Sequence, residues 1–255
     1  MKEIESILKQ FPSISLQEIK DISLSGRYDR KFIFEKPLLK NILNSIAAYY
    51  KILETGDTRL NKYETLYYDT PDFELYKSHH NGKLNRYKIR TRKYVDSGIC
   101  YFEIKSKNNK GQTSKDRLLQ DCTDIKISKG SEKLLSKGTH FQNNQLEPVL
   151  WVNYHRITLV SNDLTERFTV DIDLNYRSKE QAVSYNNVVI AELKQNNTAS
   201  SPVLKVFKQY RIKQTSFSKY CLGVSTLINS IKKNNFKPIL SKLNKLNHDK
   251  TQAVI

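Results

Sequence analysis

The chain has 255 residues and a formal net charge of +17, from 43 Lys and Arg against 26 Asp and Glu. That length holds one large β domain or two smaller ones, and the charge favours anionic partners: nucleic acid, an anionic membrane surface, nucleotides or phosphate polymers. Cys100, Cys122 and Cys221 are odd in number and form no CxxC pair, which argues against a disulfide framework or a zinc site and for free thiols in a reducing compartment.

Residues 2–10 and 16–21 read as short helices split by the Pro12-Ser13 turn. A strand follows at 27–34, with Arg27, Asp29 and Lys31 on one parity and Phe32 and Phe34 on the other. Pro37 opens a helix to about residue 50, whose apolar stripe is Leu38, Leu39, Ile42, Leu43 and Ile46. Residues 62–69 form a strand stopped by Thr70-Pro71-Asp72, and 72–79 a short helix before the Asn81-Gly82 turn. Strands at 84–94 and 100–107 make a hairpin through Asp96-Ser97-Gly98. The Lys- and Asn-rich stretch 107–117 reads as a loop or a polar ligand arm, 125–136 as a helix and 140–147 as a linker. Strands at 150–160, 166–175 and 188–194 are separated by turns at Ser161-Asn162-Asp163 and 184–187. Ser201 is a candidate cap for a helix at 202–209, a second helix spans 218–231, and the remainder is a peripheral helix or a loose tail.

No internal repeat or low-complexity linker divides the chain, which reads as one α+β domain over 1–255 with at least seven strands and helices at its edges. Residues 1–10, MKEIESILKQ, lack the apolar core of a signal peptide, and no apolar run reaches the length of a membrane span. The expected location is the cytoplasm, with membrane association through a partner left open; the oligomeric state is not legible.

Several strands place charged side chains on one face and apolar ones on the other. Arg86, Lys88, Arg90 and Arg92 share one parity; so do Glu103, Lys105 and Lys107, opposite Phe102 and Ile104. Charged faces are costly in a dry core, so either an open sheet faces solvent or a wide barrel encloses a wet lumen. Arg90 and Arg92 suit bidentate contact with phosphate, against the plainer reading of a solvated basic hairpin. Glu103 and Glu192 each stand two residues before a lysine, and Asp171 and Asp173 share a parity. These acids either hold a hard divalent cation or form cross-strand salt bridges. Tyr154 and Arg156 share a face, and Arg167 and Thr169 continue the parity of Asp171. Ser218 and Lys219 begin a helix whose amides can meet phosphate. The histidines form no catalytic set, and no Walker or Rossmann motif is present.

Together these residues resemble the polyphosphate polymerase domain of the vacuolar transporter chaperone (VTC) family, within the triphosphate tunnel metalloenzyme superfamily with its CYTH-like fold. The matching stretches are Arg27-Tyr28-Asp29-Arg30-Lys31-Phe32, Thr65-Leu66-Tyr67-Tyr68-Asp69-Thr70-Pro71, residues 82–94, Phe102-Glu103-Ile104-Lys105-Ser106-Lys107 and Thr113-Ser114-Lys115-Asp116-Arg117. Tyr154-His155-Arg156, residues 167–173, Ala191-Glu192-Leu193-Lys194 and Phe217-Ser218-Lys219-Tyr220 continue the match, so the likeness covers about 24–225. The resemblance implies an eight-stranded antiparallel β-barrel with peripheral helices that binds ATP, triphosphate or polyphosphate inside, without nucleic acid. It implies that Lys31, Arg90, Arg92, Lys105, Lys115, Arg156, Lys194 and Lys219 are basic tunnel positions acting in catalysis. Arg86, Lys88, Tyr154, Arg167 and Ser218 are expected to bind substrate. Glu192 matches the ligand of Mn²⁺ or Mg²⁺; Glu103 is a further candidate that could instead pair with a tunnel base. The expected activity is metal-dependent polyphosphate synthesis from ATP. A metal-dependent triphosphatase or polyphosphatase and a non-catalytic polyphosphate-binding module are the alternatives. Arg27-Tyr28-Asp29-Arg30-Lys31 departs from the Glu-x-Glu-x-Lys opening of thiamine triphosphatases and cyclases.

Overall fold

Alternating charged and apolar residues divide each long strand into two faces, and packing follows that division. A computed structural model describes residues 2–20, 28–121, 126–196 and 201–247. The strands are β1 (Ser13–Ile14), β2 (Tyr28–Glu35), β3 (Tyr50–Leu53), β4 (Asn61–Asp69), β5 (Arg86–Tyr94), β6 (Ile99–Lys107), β7 (Thr113–Leu119), β8 (Glu147–Ser161), β9 (Glu166–Arg177), β10 (Ala182–Tyr185), β11 (Val188–Gln195) and β12 (Gln214–Thr215). The helices are α1 (Lys2–Leu8), α2 (Leu16–Lys20), α3 (Pro37–Ile46), α4 (Glu74–His80), α5 (Lys129–Gly138), α6 (Pro202–Gln209), α7 (Lys219–Leu227) and α8 (Lys237–Asn247).

The strands form one sheet in the order β12-β2-β11-β9-β8-β4-β5-β6-β7, with β10 on β9 and β3 on β8. Pairing is antiparallel except between β1 and β3. The sheet curls far enough that Lys105 on β6 feels the charges of Lys31 on β2 and Glu192 on β11. Among the described residues it does not close: β7 and β12 stay unpaired with each other. The expected eight-stranded barrel is therefore an open, curled sheet with peripheral helices. The edge at β7 carries Lys115, Asp116 and Arg117, and charged side chains on an edge disfavour further pairing.

Phe32, Phe34, Phe168, Val170, Ile172, Val189, Ala191 and Leu193 turn outward beneath α1, α3 and α6. Phe207 of α6 meets Phe32 edge-on at 4.6 Å between ring centroids. A second outer layer joins Leu66, Tyr68, Ile89, Phe102 and Ile104 to Leu135 of α5. Each such side chain contributes about 1.5–3 kcal/mol when fully buried. The inner face of the same strands carries the charged rows, and α7 packs against its apolar end through Tyr220, Cys221, Leu222 and Val224.

Several boundaries differ from those the sequence predicts. The stretch 107–117 is a loop only over 108–112, and 113–117 belong to strand β7; there Ser114 and Asp116 are as polar as Lys115 and Arg117, so no amphipathic signal marks the strand. It is held by the ladder to β6 and by Ser106 and Ser114, whose hydroxyls lie 2.7 Å apart. The helix from Pro37 stops at Ile46, and Tyr50 opens β3. The 140–147 linker contains a 3-10 turn at Asn143–Gln145. The turn expected at 184–187 is shortened by β10. Ser201 precedes α6 but makes no side-chain cap; its hydroxyl donates to buried Glu166 at 3.0 Å. Of the C-terminal remainder, Lys237–Asn247 forms α8, and residues 248–255 lie outside the described residues. Arg27, Cys122, Ile125 and Asp21 lie outside the described residues; Cys100 and Cys221 are buried free thiols. Among the described residues no helix is long and apolar enough to cross a membrane.

Gly223 marks where α7 enters the sheet. A Cβ there would meet Leu150 Cδ2 and Tyr176 Cδ1, each at 2.6 Å. Gly223→Ala is expected to lose about 1–2 kcal/mol of stability in urea titration, overpacking outweighing the gain in helix propensity.

Candidate phosphate-binding face

Three strands that lie side by side supply the first half of the site. On β5, Arg86, Lys88, Arg90 and Arg92 face inward; β6 adds Glu103, Lys105 and Lys107, and β7 adds Lys115 and Arg117. The register sets Lys88 beside Lys105 and Lys105 beside Lys115, three cations in one row. It also sets Arg90 beside Glu103 and Glu103 beside Arg117.

Glu103 is 1% exposed and clasped from two sides. Arg90 donates to its Oε2 from Nε at 2.7 Å and from Nη2 at 2.6 Å, and Lys115 pairs with its Oε1. Burial raises the Glu103 carboxyl, yet Arg90, Arg92 and Lys115 outweigh it and hold the group down to about 2. Both oxygens are taken by cations, so Glu103 serves as the salt-bridge partner of Arg90, not as an open metal ligand.

The second half repeats the device. Asp171 of β9 is 2% exposed. Arg156 of β8 donates to it from Nε at 2.5 Å and Nη2 at 2.8 Å, and Lys219 of α7 pairs with Oδ2 at 2.5 Å. Burial would raise Asp171; Arg156 and Lys219 bring it to about 2. Ser218 caps α7, its hydroxyl accepting from the Cys221 amide at 3.5 Å. Lys31 donates to the Phe217 carbonyl at 3.0 Å. Lys219 and Lys31 therefore meet at the N-terminal turn of α7.

Asp173 does not join Asp171. A register shift between Asn153 and His155 turns it outward, at φ 53°, a left-handed conformation that Asp tolerates. There it pairs with Lys36 at 2.5 Å and His155 at 3.3 Å. Strict alternation predicted a shared face; one bulge reverses it. Arg167 keeps the inner parity but donates to the Ile19 carbonyl at 3.1 Å, and Arg86 donates to the Lys83 carbonyl at 2.7 Å. Both stand at the ends of the face, away from the two clasped acids.

Several inner cations, Arg92, Lys88 and Lys105 among them, have no carboxylate within salt-bridge distance among the described residues. Arg92 is buried, its Nε reaching only Thr65 Oγ1 at 3.3 Å, with its guanidinium 5.5 Å from the Tyr63 ring. Desolvation, with Lys31 and Lys105 nearby, holds Lys88 down to about 8. The Tyr154 hydroxyl is buried with no hydrogen-bond partner. Glu192 is a quarter exposed, and its nearest cation is Lys194 at 3.9 Å. Burial raises its carboxyl; Lys194, Lys31, Lys219 and Arg156 lower it on balance. It is thus a carboxylate kept ionised by a surrounding field without being locked in a close pair.

An aromatic floor supports these groups, and strand parity alone did not single it out. Tyr63 stacks on Tyr154 at 5.2 Å and 9°, and Arg156 lies 5.0 Å from the Tyr63 ring. Tyr67 stacks on Tyr220 at 5.0 Å and accepts from Arg90 at 3.1 Å. The inner parity of β4, Tyr63-Thr65-Tyr67, was the available signal, but Leu66 and Tyr68 on its other face are as apolar.

Among the described residues, no three His, Cys, Asp or Glu side chains cluster closely enough to hold a metal by themselves. A hard divalent ion bound to phosphate needs only one or two protein carboxylates, because phosphate oxygens and water complete its shell. Glu192 fits that demand.

The family model described as the VTC domain matches residues 26–228. No curated protein matches the chain. Solved structures that resemble it include a candidate adenylate cyclase from Vibrio parahaemolyticus, 12% identical, covering 79% of this chain and 99% of that one at a TM-score of 0.48. Another is a candidate adenylyl cyclase from Hippeastrum whose description reports a dominant triphosphatase activity, 13% identical over 79% of this chain and 97% of that one, with a TM-score of 0.46. A third, from Pyrococcus horikoshii OT3, is 13% identical over 78% and 99%, with a TM-score of 0.44.

Two arginines on one strand should separate stability from binding. Arg90→Ala strands Glu103 in the interior and is expected to cost about 3 kcal/mol of folding stability. Arg92→Ala leaves no buried acid behind; it should cost less than about 2 kcal/mol of stability while weakening tripolyphosphate binding about ten- to hundredfold. Denaturant titration and calorimetry measure the two effects. Lys88 supplies a pH test. Its folded value is about 8, and a bound polyanion stabilises the ammonium. Tripolyphosphate binding at pH 8 should therefore take up protons, and affinity should fall as pH rises above 8; calorimetry in buffers of different ionisation enthalpy reads the uptake.

Proposed function

We propose that this chain, which belongs to the VTC domain family and has the basic inner face of a phosphate-handling tunnel enzyme, transfers the γ-phosphoryl group of ATP to phosphate or to the end of a polyphosphate chain. The observation that carries this reading is an imbalance. Arg92, Lys88 and Lys105 face inward without carboxylates among the described residues, while the two most buried acids of that face are already saturated. Unpaired charge held out of water is costly, and a polyanion relieves it.

Each part then has a role. Arg90 and Arg156, held by Glu103 and Asp171, present oriented guanidinium groups that need no rearrangement to meet phosphate oxygens. Lys219 and Ser218 add a charge and a hydroxyl at the start of α7. Lys31, Lys105, Lys115 and Lys194 spread charge along the chain of phosphates, and Tyr154 has a hydroxyl free to donate. Glu192 would hold Mn²⁺ or Mg²⁺; when bound, such an ion neutralises phosphate oxygens and fixes the transferring group. The acceptor's terminal phosphate oxygen forms the new P–O bond as the bond to the ADP oxygen breaks. No side-chain nucleophile is needed, since positioning and charge stabilisation carry phosphoryl transfer. A nucleic-acid partner accounts less well for acids set among the inner cations.

A second reading has its own support. α7 fills one end of the inner face, which leaves a product chain less room to pass straight through and suits a metal-dependent triphosphatase that admits water as the acceptor. Among the described residues β7 and β12 do not pair with each other, and a lateral path between them would keep synthesis available.

Purified protein with ATP, Mn²⁺ and a short polyphosphate primer should lengthen the primer, read on a gel. Orthophosphate release from tripolyphosphate without lengthening would replace the polymerase reading by the hydrolase. Glu192→Ala should lower metal-dependent turnover at least about a hundredfold. Its tripolyphosphate affinity in EDTA should change by less than about threefold. Unchanged turnover in the folded variant would remove Glu192 from the mechanism.

A further inference from the structure

Three adjacent strands change character at the same end of the inner face. The β5 row of Arg86, Lys88, Arg90 and Arg92 ends in Tyr94. On β6, Lys107, Lys105 and Glu103 give way to Tyr101 and Ile99; on β7, Lys115 and Arg117 give way to Leu119. The register aligns these switches. Arg92 stands beside Tyr101 and Tyr101 beside Leu119, while Tyr94 stands beside Ile99 and Tyr63. Tyr94 and Tyr101 meet edge-on, with centroids 6.1 Å apart at 89°, and Tyr63 lies 5.0 Å from Tyr94. The Arg117 guanidinium sits 4.8 Å from the Tyr101 ring. Leu119 is 65% exposed and Ile99 38% exposed, apolar side chains on an otherwise charged face.

We infer that Tyr94, Ile99, Tyr101 and Leu119 form a platform for the base of the nucleoside triphosphate donor, whose phosphates run past Arg117 and Arg92 toward Arg90. This rests on the reading of ATP as the donor. A nucleotide is half planar and apolar, half polyanionic, and the inner row divides the same way. Aromatic and aliphatic surface next to guanidinium groups takes up a base by stacking, and the adjoining charges fix which end faces inward. None of the four platform side chains carries an amide or carboxylate that would read the edge of a base. Recognition by stacking alone tolerates any base and favours the larger purines.

The test compares ATP with tripolyphosphate, which shares the phosphates but lacks the base, by calorimetry in EDTA so that no turnover occurs. Leu119 is exposed on an edge strand, so Leu119→Ser leaves the fold intact. Leu119→Ser and Tyr101→Leu should each weaken ATP about three- to thirtyfold. Leu119→Ser should leave tripolyphosphate within about threefold. Tyr101→Phe should keep wild-type ATP affinity, which a lost hydroxyl contact would not. The wild type should bind ATP and GTP more tightly than CTP or UTP. Equal losses for ATP and tripolyphosphate in Leu119→Ser, or no loss in either, would overturn the platform. So would an oligomer, seen by light scattering, that Leu119→Ser dissolves without changing the ratio of the two affinities. The platform and the polymerase reading fail separately. A shifted ratio without primer lengthening keeps the platform and removes the synthesis; primer lengthening with an unshifted ratio does the reverse.

Discussion

Glu103 and Asp171 each lie almost wholly out of water between an arginine and a lysine. A carboxylate in that position is tolerable only while both cations stay in place. The same constraint fixes the cations. Arg90 cannot swing into solvent without abandoning Glu103, and Arg156 and Lys219 are tied to Asp171 in the same way. The acids thus hold bases at fixed points on a face that their mutual repulsion would otherwise open. The face keeps a surplus of positive charge because Arg92, Lys88 and Lys105 have no such acid among the described residues.

The apolar layers serve that electrostatic arrangement. Asp69 is fully buried and accepts amides of Thr70, Leu75 and Tyr76, so it anchors α4; it also accepts the hydroxyl of Tyr220. Tyr220 stacks on Tyr67, and Tyr67 accepts from Arg90. One chain of contacts therefore joins the helix that carries Lys219 to the strand that carries Arg90. Gly223 lets that helix approach Leu150 and Tyr176 more closely than any side chain would allow. The packing of α7 and the spacing of the cations are one structural problem, because a displaced α7 would carry Lys219 away from Asp171.

Glu192 differs from the other inner acids in being ionised by a diffuse field of four cations with no close partner. That distinction separates a carboxylate available to a metal from one consumed by structure. Alternation along a strand gives Glu103 and Glu192 the same pattern, each two residues before a lysine. Their difference lies in what stands across the ladder: Arg90 and Arg117 flank Glu103, while Lys31 and Thr169 flank Glu192.

Period-two alternation by itself determined which side chains on β5, β6, β8 and β11 share a face, because a strand has no other way to present them. It placed Arg90, Arg92, Lys105, Arg156 and Glu192 inward, and Phe32, Phe34 and Ile104 outward. It failed where geometry departs from an ideal strand or where both faces look alike. The bulge at Asp173 reversed a parity that the sequence could not mark, since Asp is at home in extended and left-handed backbone alike. Residues 113–117 of β7 are polar on both faces and became strand only through the ladder to β6. Tyr63 and Tyr67 could not be told from core residues until α7 and the arginines were seen to meet them. Which acid pairs with which base was decided by tertiary structure alone. Pairing depends on strand order and register across residues far apart in sequence, and periodicity within a strand carries no information about its neighbours.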